Sequence, residues 1–391
     1  MWKRIGALTF IFVCTSIAWI ILGRVTNLRT YRQDEKLKRA VGQLWGTIQR
    51  QRAPYVYYET IGHPITLDSS AITVNLKLDQ RKKGLLWYST YRVAYSGKYL
   101  VINSAQENHD ILFDYTFPTA EGIYDNFSFV IDGEKAKDLQ PTSGKISKKI
   151  NLGPGEAKSI EISYESQGMD QWWYVFGSDV SQIRNFKLTM ITDFNEIDFP
   201  ANSISPTKKE KRDKGWELTW QYSNLISGIQ IGMDMPQKLN PGPWVSRVSF
   251  FAPVSLFLFL FLMFIITRVR RINIHPMNYF FVSAAFFSFH LLLAYLVDHI
   301  DIHLAFVVSS AVSIFLVISY MRLVVGTRFA FLETGLSQFV YLVLFSYAFF
   351  LEGYTGLAIT VGCILTLFVV MQNTGRIDWD KQLVSSKQYS K

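Results

Sequence analysis

Cysteine is almost absent from this chain, with only Cys14 and Cys363 among 391 residues. Each lies near the middle of an apolar run, where small apolar filler is the expected role. The long polar stretch between those runs has none, which excludes a disulfide framework and thiol chemistry there. Histidine is scarce too, at six residues. No phosphate-cradling glycine loop, Gly-x-Ser-x-Gly elbow or His-Glu-x-x-His helix occurs. The residues therefore name no reaction and imply no cofactor.

Long apolar runs are abundant. Val248–Thr267, Met277–Val297, Ile302–Tyr320, Phe329–Leu351 and Thr355–Met371 form one block, and Ile5–Leu22 stands alone near the start. A mean hydropathy of +0.14 and 15% aromatic content fit a membrane protein with a sizeable polar domain. Ile5–Leu22 follows Lys3 and Arg4 and lacks a small-x-small cleavage site, so it reads as an uncleaved signal anchor. Eighteen residues of helix reach about 27 Å, enough to span.

Charge orients these spans. The net charge is +9. Arg268, Arg270 and Arg271 follow the first run of the block, Asp298 and Asp301 occupy the next link, and Arg322 and Arg328 the third. Glu352 stands in the fourth, and the tail holds Arg376, Lys381, Lys387 and Lys391. The positive-inside rule places the arginine links and both termini in the cytoplasm and the polar stretch outside it. The bases Arg24, Arg29, Arg32, Lys36, Lys38, Arg39, Arg50 and Arg52 vote the other way, but a long domain translocates despite its charge. Basic charge beside apolar runs reads as topology signal or phospholipid contact, so the bilayer is an expected partner and nucleic acid is not.

The organisation follows. Residues 1–23 are the anchor. Residues 24–53 form a juxtamembrane helix with Leu37, Val41, Leu44, Trp45 and Ile48 on one face, ended by Pro54. That face either lies on lipid or packs on the following domain, and the second reading is favoured because a folded domain follows at once. Residues 54–247 read as short strands. Ile72 to Leu78, Ser159 to Tyr164 and Trp216 to Trp220 alternate, and Ser96-Gly97, Asp132-Gly133 and Gly153-Pro154-Gly155 mark turns. An all-β, sandwich-like domain is expected, with Ile72, Val74, Leu76, Leu78, Ile160 and Ile162 in one core. Lys208 to Lys214 reads as a charged hairpin tip. Residues 248–372 form a five-helix bundle and 373–391 a tail. The fold class is thus a helical polytopic membrane protein with an inserted extracytoplasmic β-domain.

Candidate chemistry gathers in one place. Asp298, His299, Asp301 and His303 combine carboxylates and imidazoles of the kind that hold divalent metals. The same residues also suit a plain solvated loop. His290 lies inside a span, where an ionisable group is a functional candidate and equally a hydrogen-bonded packing residue. Glu333 is expected to snorkel to the interface. Ala305, Ser309 and Ser313, and Ala358, Gly362 and Thr366, form small-residue stripes for close helix contact. Trp172 and Trp173 suit a binding groove or a sheet core.

Three segments resemble the CreD family of bacterial inner-membrane proteins. They are Ile274-His275-Pro276-Met277-Asn278-Tyr279, Leu296-Val297-Asp298-His299-Ile300, and the closing Phe345-Ser346-Tyr347 through Glu352-Gly353 to Thr374-Gly375-Arg376-Ile377-Asp378-Trp379. The likeness is strongest from about Pro236 to Trp379. It implies an inner-membrane protein of cell-envelope integrity or envelope stress response; binding or scaffolding, with other envelope proteins as partners, is the expected mode of action. The rival expectation is a membrane enzyme or ion-coupled carrier that uses His290 and the Asp298 to His303 cluster. The oligomeric state is not encoded in any of these features.

Overall fold

The computed structural model describes residues 2–137, 139–177, 181–351 and 353–375. Glu352 and the tail bases therefore lie outside the described residues. The chain divides into two compact units, one of residues 1–34 and 240–391 and one of residues 35–239. Among the described residues, six helices are long and apolar enough to cross a membrane.

In the first unit, helix α1 begins at Trp2 and continues to Trp45, so the expected anchor and juxtamembrane helix are one element. Helices α2 (Pro241–Val269), α3 (Pro276–Leu296) and α4 (Ile302–Val324) follow. A fifth span runs over Phe329–Phe350 and a sixth helix over Thr355–Thr374. Proline opens α2 and α3 in the first turn, where its missing N–H costs no helical bond. Asp301 caps α4 by accepting from the backbone N–H of His303 and Leu304. The fifth span contains π-helical stretches at Phe329–Gly335 and Phe339–Leu344.

The second unit is β-rich. Its strands are β1 (Gln49–Arg52), β2 (Tyr55–Tyr58), β3 (Pro64–Ile65), β4 (Ser69–Leu78), β5 (Arg81–Lys83), β6 (Leu86–Tyr88), β7 (Thr90–Ile102), β8 (His109–Thr116) and β9 (Tyr124–Ile131). Then come β10 (Glu134–Lys135), β11 (Lys145–Leu152), β12 (Ala157–Met169), β13 (Gln171–Val175), β14 (Ser181–Thr192), β15 (Lys208–Lys211), β16 (Trp216–Ser227) and β17 (Ile231–Asp234). An eight-stranded sheet runs β10-β9-β12-β7-β4-β14-β16-β15, a four-stranded sheet β11-β8-β2-β3, and a three-stranded sheet β1-β13-β17. The large sheet is mixed, because β14 joins β4 in parallel.

These three sheets contribute to one core. Ile72, Val74 and Leu76 alternate inward along β4 beside Ile160 and Ile162 of β12, with Leu78 partly buried against the same cluster. Ile111 and Phe113 of β8 and Trp172 and Tyr174 of β13 fill it from the other sheets. Trp172 and Trp173 are thus buried residues and not an open groove.

Two expectations need correction. The helix ends at Trp45, well short of Pro54. Gly46 stops it with φ +92°, and an added Cβ there would lie 2.2 Å from the Gln167 carbonyl. Gln49 to Arg52 then forms a strand whose glutamines turn inward and whose arginines turn outward. Gln49 donates to the Ser166 hydroxyl and the Gln167 carbonyl, and Gln51 accepts from the hydroxyls of Tyr115 and Tyr164. Buried partners of that kind cannot be read from Gln-Arg-Gln-Arg alone. Ser96-Gly97 is likewise no turn. It lies inside the 13-residue β7, where the Tyr95 and Tyr99 side chains close over Gly97. Lys208–Lys211 is an edge strand ahead of the charged tip, and lysines on such an edge discourage pairing with another sheet.

The helix end from Leu37 to Trp45 packs its apolar face within the β-rich unit. Val41 is buried with Leu86, Tyr88 and Met169, and Leu37 and Trp45 lie against them. Leu44, expected on the same face, is exposed.

Tyr91, Tyr95, Tyr99, Tyr115, Tyr164 and Tyr174 are fully enclosed in the β-rich unit, and burial pushes each hydroxyl well above its ordinary pKa. A raised folded pKa favours the protonated form. The stability it confers is complete below the unfolded value of about 10 and is lost as pH rises from there toward the folded values. The β-signal melting temperature of the full-length protein in detergent should be level from about pH 7 to 9 and fall above about 10. A melt unchanged to about pH 12 would contradict buried hydroxyls.

Candidate functional site

The β-rich unit carries a cleft of about 340 Å³ on the outward side of its large sheet. Strand register assembles its floor. Lys77 of β4 pairs with Arg92 of β7, and Arg92 pairs with Gln167 of β12. One row along, Asn75 faces Ala94, Ala94 faces Glu165, and Glu165 faces Asp125 of β9. The cleft is therefore basic at one end and acidic at the other, where Glu121 joins Asp125 and Glu165. Gly42 to Gly46, the end of α1 and the residue beyond it, forms one wall.

The opposite wall is a fixed loop. Tyr124 accepts from the Thr119 N–H at 2.9 Å and donates to the Thr119 carbonyl at 2.7 Å. Burial pushes the Tyr124 hydroxyl up to about 12, so it stays a donor throughout the physiological range. Ser166 donates to the Ile123 carbonyl at 2.8 Å, and Gln49 in turn holds Ser166 at 2.9 Å. The loop backbone is thus pinned while the Ile123 side chain stands 76% exposed at the rim. An apolar tip on a rigid loop, beside separated charges, suits recognition of a partner surface.

No histidine or cysteine lines this cleft, and Ser166 is spent on the loop. The lining residues hold no nucleophile paired with a base. Sequence reading missed it, because its charges sit at outward positions on four separate strands. The exposed Ile123 next to Gly122 was the one local hint.

The histidine and aspartate cluster has a different arrangement. Asp298 pairs with Arg29 of α1 at 2.9 Å, and the same guanidinium reaches the Ala294 carbonyl at 3.3 Å and faces the Tyr295 ring. Asp301 is the α4 cap. His299 is exposed, and His303 stacks on the Phe350 ring at 4.6 Å. Among the described residues no three histidine, cysteine, aspartate or glutamate side chains come together in a way that could hold a metal. Asp298, Asp301 and His303 thus each have another partner, and His299 is exposed.

His290 is 1% exposed and enclosed by Trp19, Phe286 and Phe289. Neither of its ring nitrogens, nor the Trp19 indole N–H, has a hydrogen-bond partner among the described residues. Elsewhere in the bundle, Gln338 donates to the Ser313 hydroxyl at 2.8 Å, and Ser313 donates to the Ala285 carbonyl at 2.6 Å. Ser255 donates to the Tyr341 carbonyl. Glu333, expected at the interface, is 10% exposed. It pairs with Arg270 in the link between α2 and α3. Ala305, Ser309 and Ser313 are fully buried, and a Cβ added at Gly362 would lie 3.0 Å from the Phe345 ring, as close helix contact requires. Cys14 is exposed and Cys363 half-buried, and neither has a disulfide partner.

Comparison with known proteins adds one substantial match. The family described as CreD, inner membrane protein CreD, matches residues 121–380, a stretch that takes in the Ile123 end of the pinned loop, most strands of the large sheet and the bundle. No curated protein matches the sequence. Among solved structures, a candidate nutrient-binding protein from Legionella pneumophila is similar at 11% identity and TM-score 0.37, over 55% of this chain and 76% of that one. A zinc metallopeptidase from Deinococcus radiodurans, in mutant form, is similar at 10% identity and TM-score 0.30, over 44% of this chain and 43% of that one. Likenesses this low say nothing about what this chain binds or cleaves.

The Arg29–Asp298 pair ties α1 to the end of α3 and should behave as a coupled unit. Asp298→Ala and Arg29→Ala should each lower the melting temperature of the detergent-solubilised protein. The double variant should fall short of their sum by roughly 0.5–3 kcal/mol, the range for residues in contact. Strict additivity would show that the two side chains act independently.

Proposed function

The chain belongs to the CreD family of inner membrane proteins, and from that premise we propose that it serves cell-envelope integrity or envelope stress response by binding other envelope proteins through its β-rich unit. The observation that carries this reading is the pinned loop that presents Ile123 beside the charge-divided cleft. An interface with its backbone already fixed loses little entropy on binding. Catalysis or ion coupling by the Asp298 to His303 cluster has less support, since Asp298, Asp301 and His303 are each engaged elsewhere.

The β-rich unit is assigned to the periplasm and both termini to the cytoplasm. Support comes from arginines in the α2–α3 and α4–fifth-span links against aspartates in the α3–α4 link. The opposing bases after Leu22 lose part of their weight to local partners. Arg29 pairs with Asp298, Lys38 with Asp170 at 2.9 Å, and Arg50 lies over the Trp173 ring. We further assign the β-rich unit as a sandwich, because its eight- and four-stranded sheets feed one core. The bilayer is then the constant partner, and nucleic acid has no place in the reading.

Two experiments test these assignments. With Cys14 and Cys363 replaced, Ser223→Cys in intact spheroplasts should react with a membrane-impermeant maleimide and Asn273→Cys should not. The reverse pattern would invert the topology. In cells lacking the chain, Ile123→Arg and Glu165→Lys should reach wild-type levels yet fail to restore exclusion of an impermeant dye. Full restoration by both variants would remove the cleft from the function.

A further inference from the structure

Three contacts fix the register of α1 against α2. Thr30 meets Gly242, where an added Cβ would lie 1.9 Å from the Thr30 hydroxyl. Ser246 donates to the Gly23 carbonyl at 3.0 Å. The rings of Phe12 and Phe257 stand 5.9 Å apart. Rising numbers on α1 meet falling numbers on α2, so the two helices are antiparallel.

Gly23 and Ser246 touch, and each is followed by an arginine, Arg24 and Arg247. One residue advances about 100° around a helix axis. In an antiparallel pair, that step carries both following side chains to the same side of the contact, about 3 Å apart along the axis. Burial agrees. Arg24 and Arg247 are exposed, and so are Ile17 and Ile20 of α1 and Phe250 and Val254 of α2, which the same geometry turns to that side. Neither arginine takes part in an ion pair among the described residues.

Their depth suits a headgroup. Arg24 lies six residues below Thr30, roughly 9 Å of helix. Arg247 lies seven residues from Asn240, the cap of α2. A guanidinium on its three-carbon stem reaches back toward the interface from such a position. Two of them side by side can share one phosphate through paired N–H donors. Below them the exposed face is apolar, and a groove of about 430 Å³ continues down the same helix pair between Ile5, Leu8, Phe12, Phe257, Phe261 and Phe264.

We propose that Arg24 and Arg247 clamp the phosphate of an anionic phospholipid in the leaflet where α1 leaves the membrane, with its acyl chains lying along the α1–α2 face. This goes beyond the envelope role above and holds for either orientation of the protein.

The test uses full-length protein in detergent, titrated with phosphatidylglycerol and followed by native mass spectrometry. The variant Arg24→Ala/Arg247→Ala should bind roughly thirtyfold more weakly, as expected for two bases near the lipid surface. Arg24→Lys/Arg247→Lys should recover most of that loss, which a misfolded bundle would not do. Arg271→Ala/Arg322→Ala, at the other end of the spans, should bind as wild type does. Inorganic phosphate in large excess should leave the lipid bound. Equal binding by wild type and the double alanine variant would overturn the proposal, as would displacement by inorganic phosphate.

Discussion

A polar group removed from water needs a partner supplied by the protein, and that requirement organises both units of this chain. In the β-rich unit it turns Gln49 and Gln51 inward, where Tyr115, Tyr164 and Ser166 meet them. The strand Gln49–Arg52 exists because those partners exist. In the bundle the same requirement joins Arg29 to Asp298, Glu333 to Arg270 and Gln338 to Ser313. Each link crosses from one element to another, so polar satisfaction and helix placement are one constraint.

The functional reading depends on how the β-rich unit uses that constraint at its surface. Tyr124, Ser166 and Gln49 spend their hydrogen bonds on the loop that ends in Ile123. The loop therefore needs no ordering when a partner arrives. The charges of the cleft remain outward and divided by sign along the sheet, an arrangement that selects orientation more than it adds affinity. The bundle, by contrast, spends its polar groups on itself. Its most buried imidazole, His290, sits among aromatic rings with no second ionisable group in its ring contacts.

The proposed lipid and protein contacts draw on different units of the chain. The Arg24 and Arg247 pair arises from helix periodicity and antiparallel register alone. The proposed clamp would give these two arginines a role besides orientation. The CreD family match covers Arg247 but not Arg24, since it begins at residue 121.

Much of the architecture is legible in the order of the residues. The apolar runs over Val248 to Met371 are dense enough that hydropathy alone locates them, because lipid admits so few solutions. Alternation at Ile72 to Leu78 and Ser159 to Tyr164 marks inward faces, since a pleated strand sends every second side chain to one side. The sequence by itself thus determined the spans, the β character of the polar stretch and the residues of its core. Tertiary structure alone decided the end of α1 at Gly46, the inward turn of Gln49 and Gln51, and the partners of Asp298 and His303. It alone brought Lys77, Arg92, Asp125 and Glu165 into one cleft. Local spacing records which face a side chain takes on its own element, but partners distant in the chain become neighbours only through register and packing.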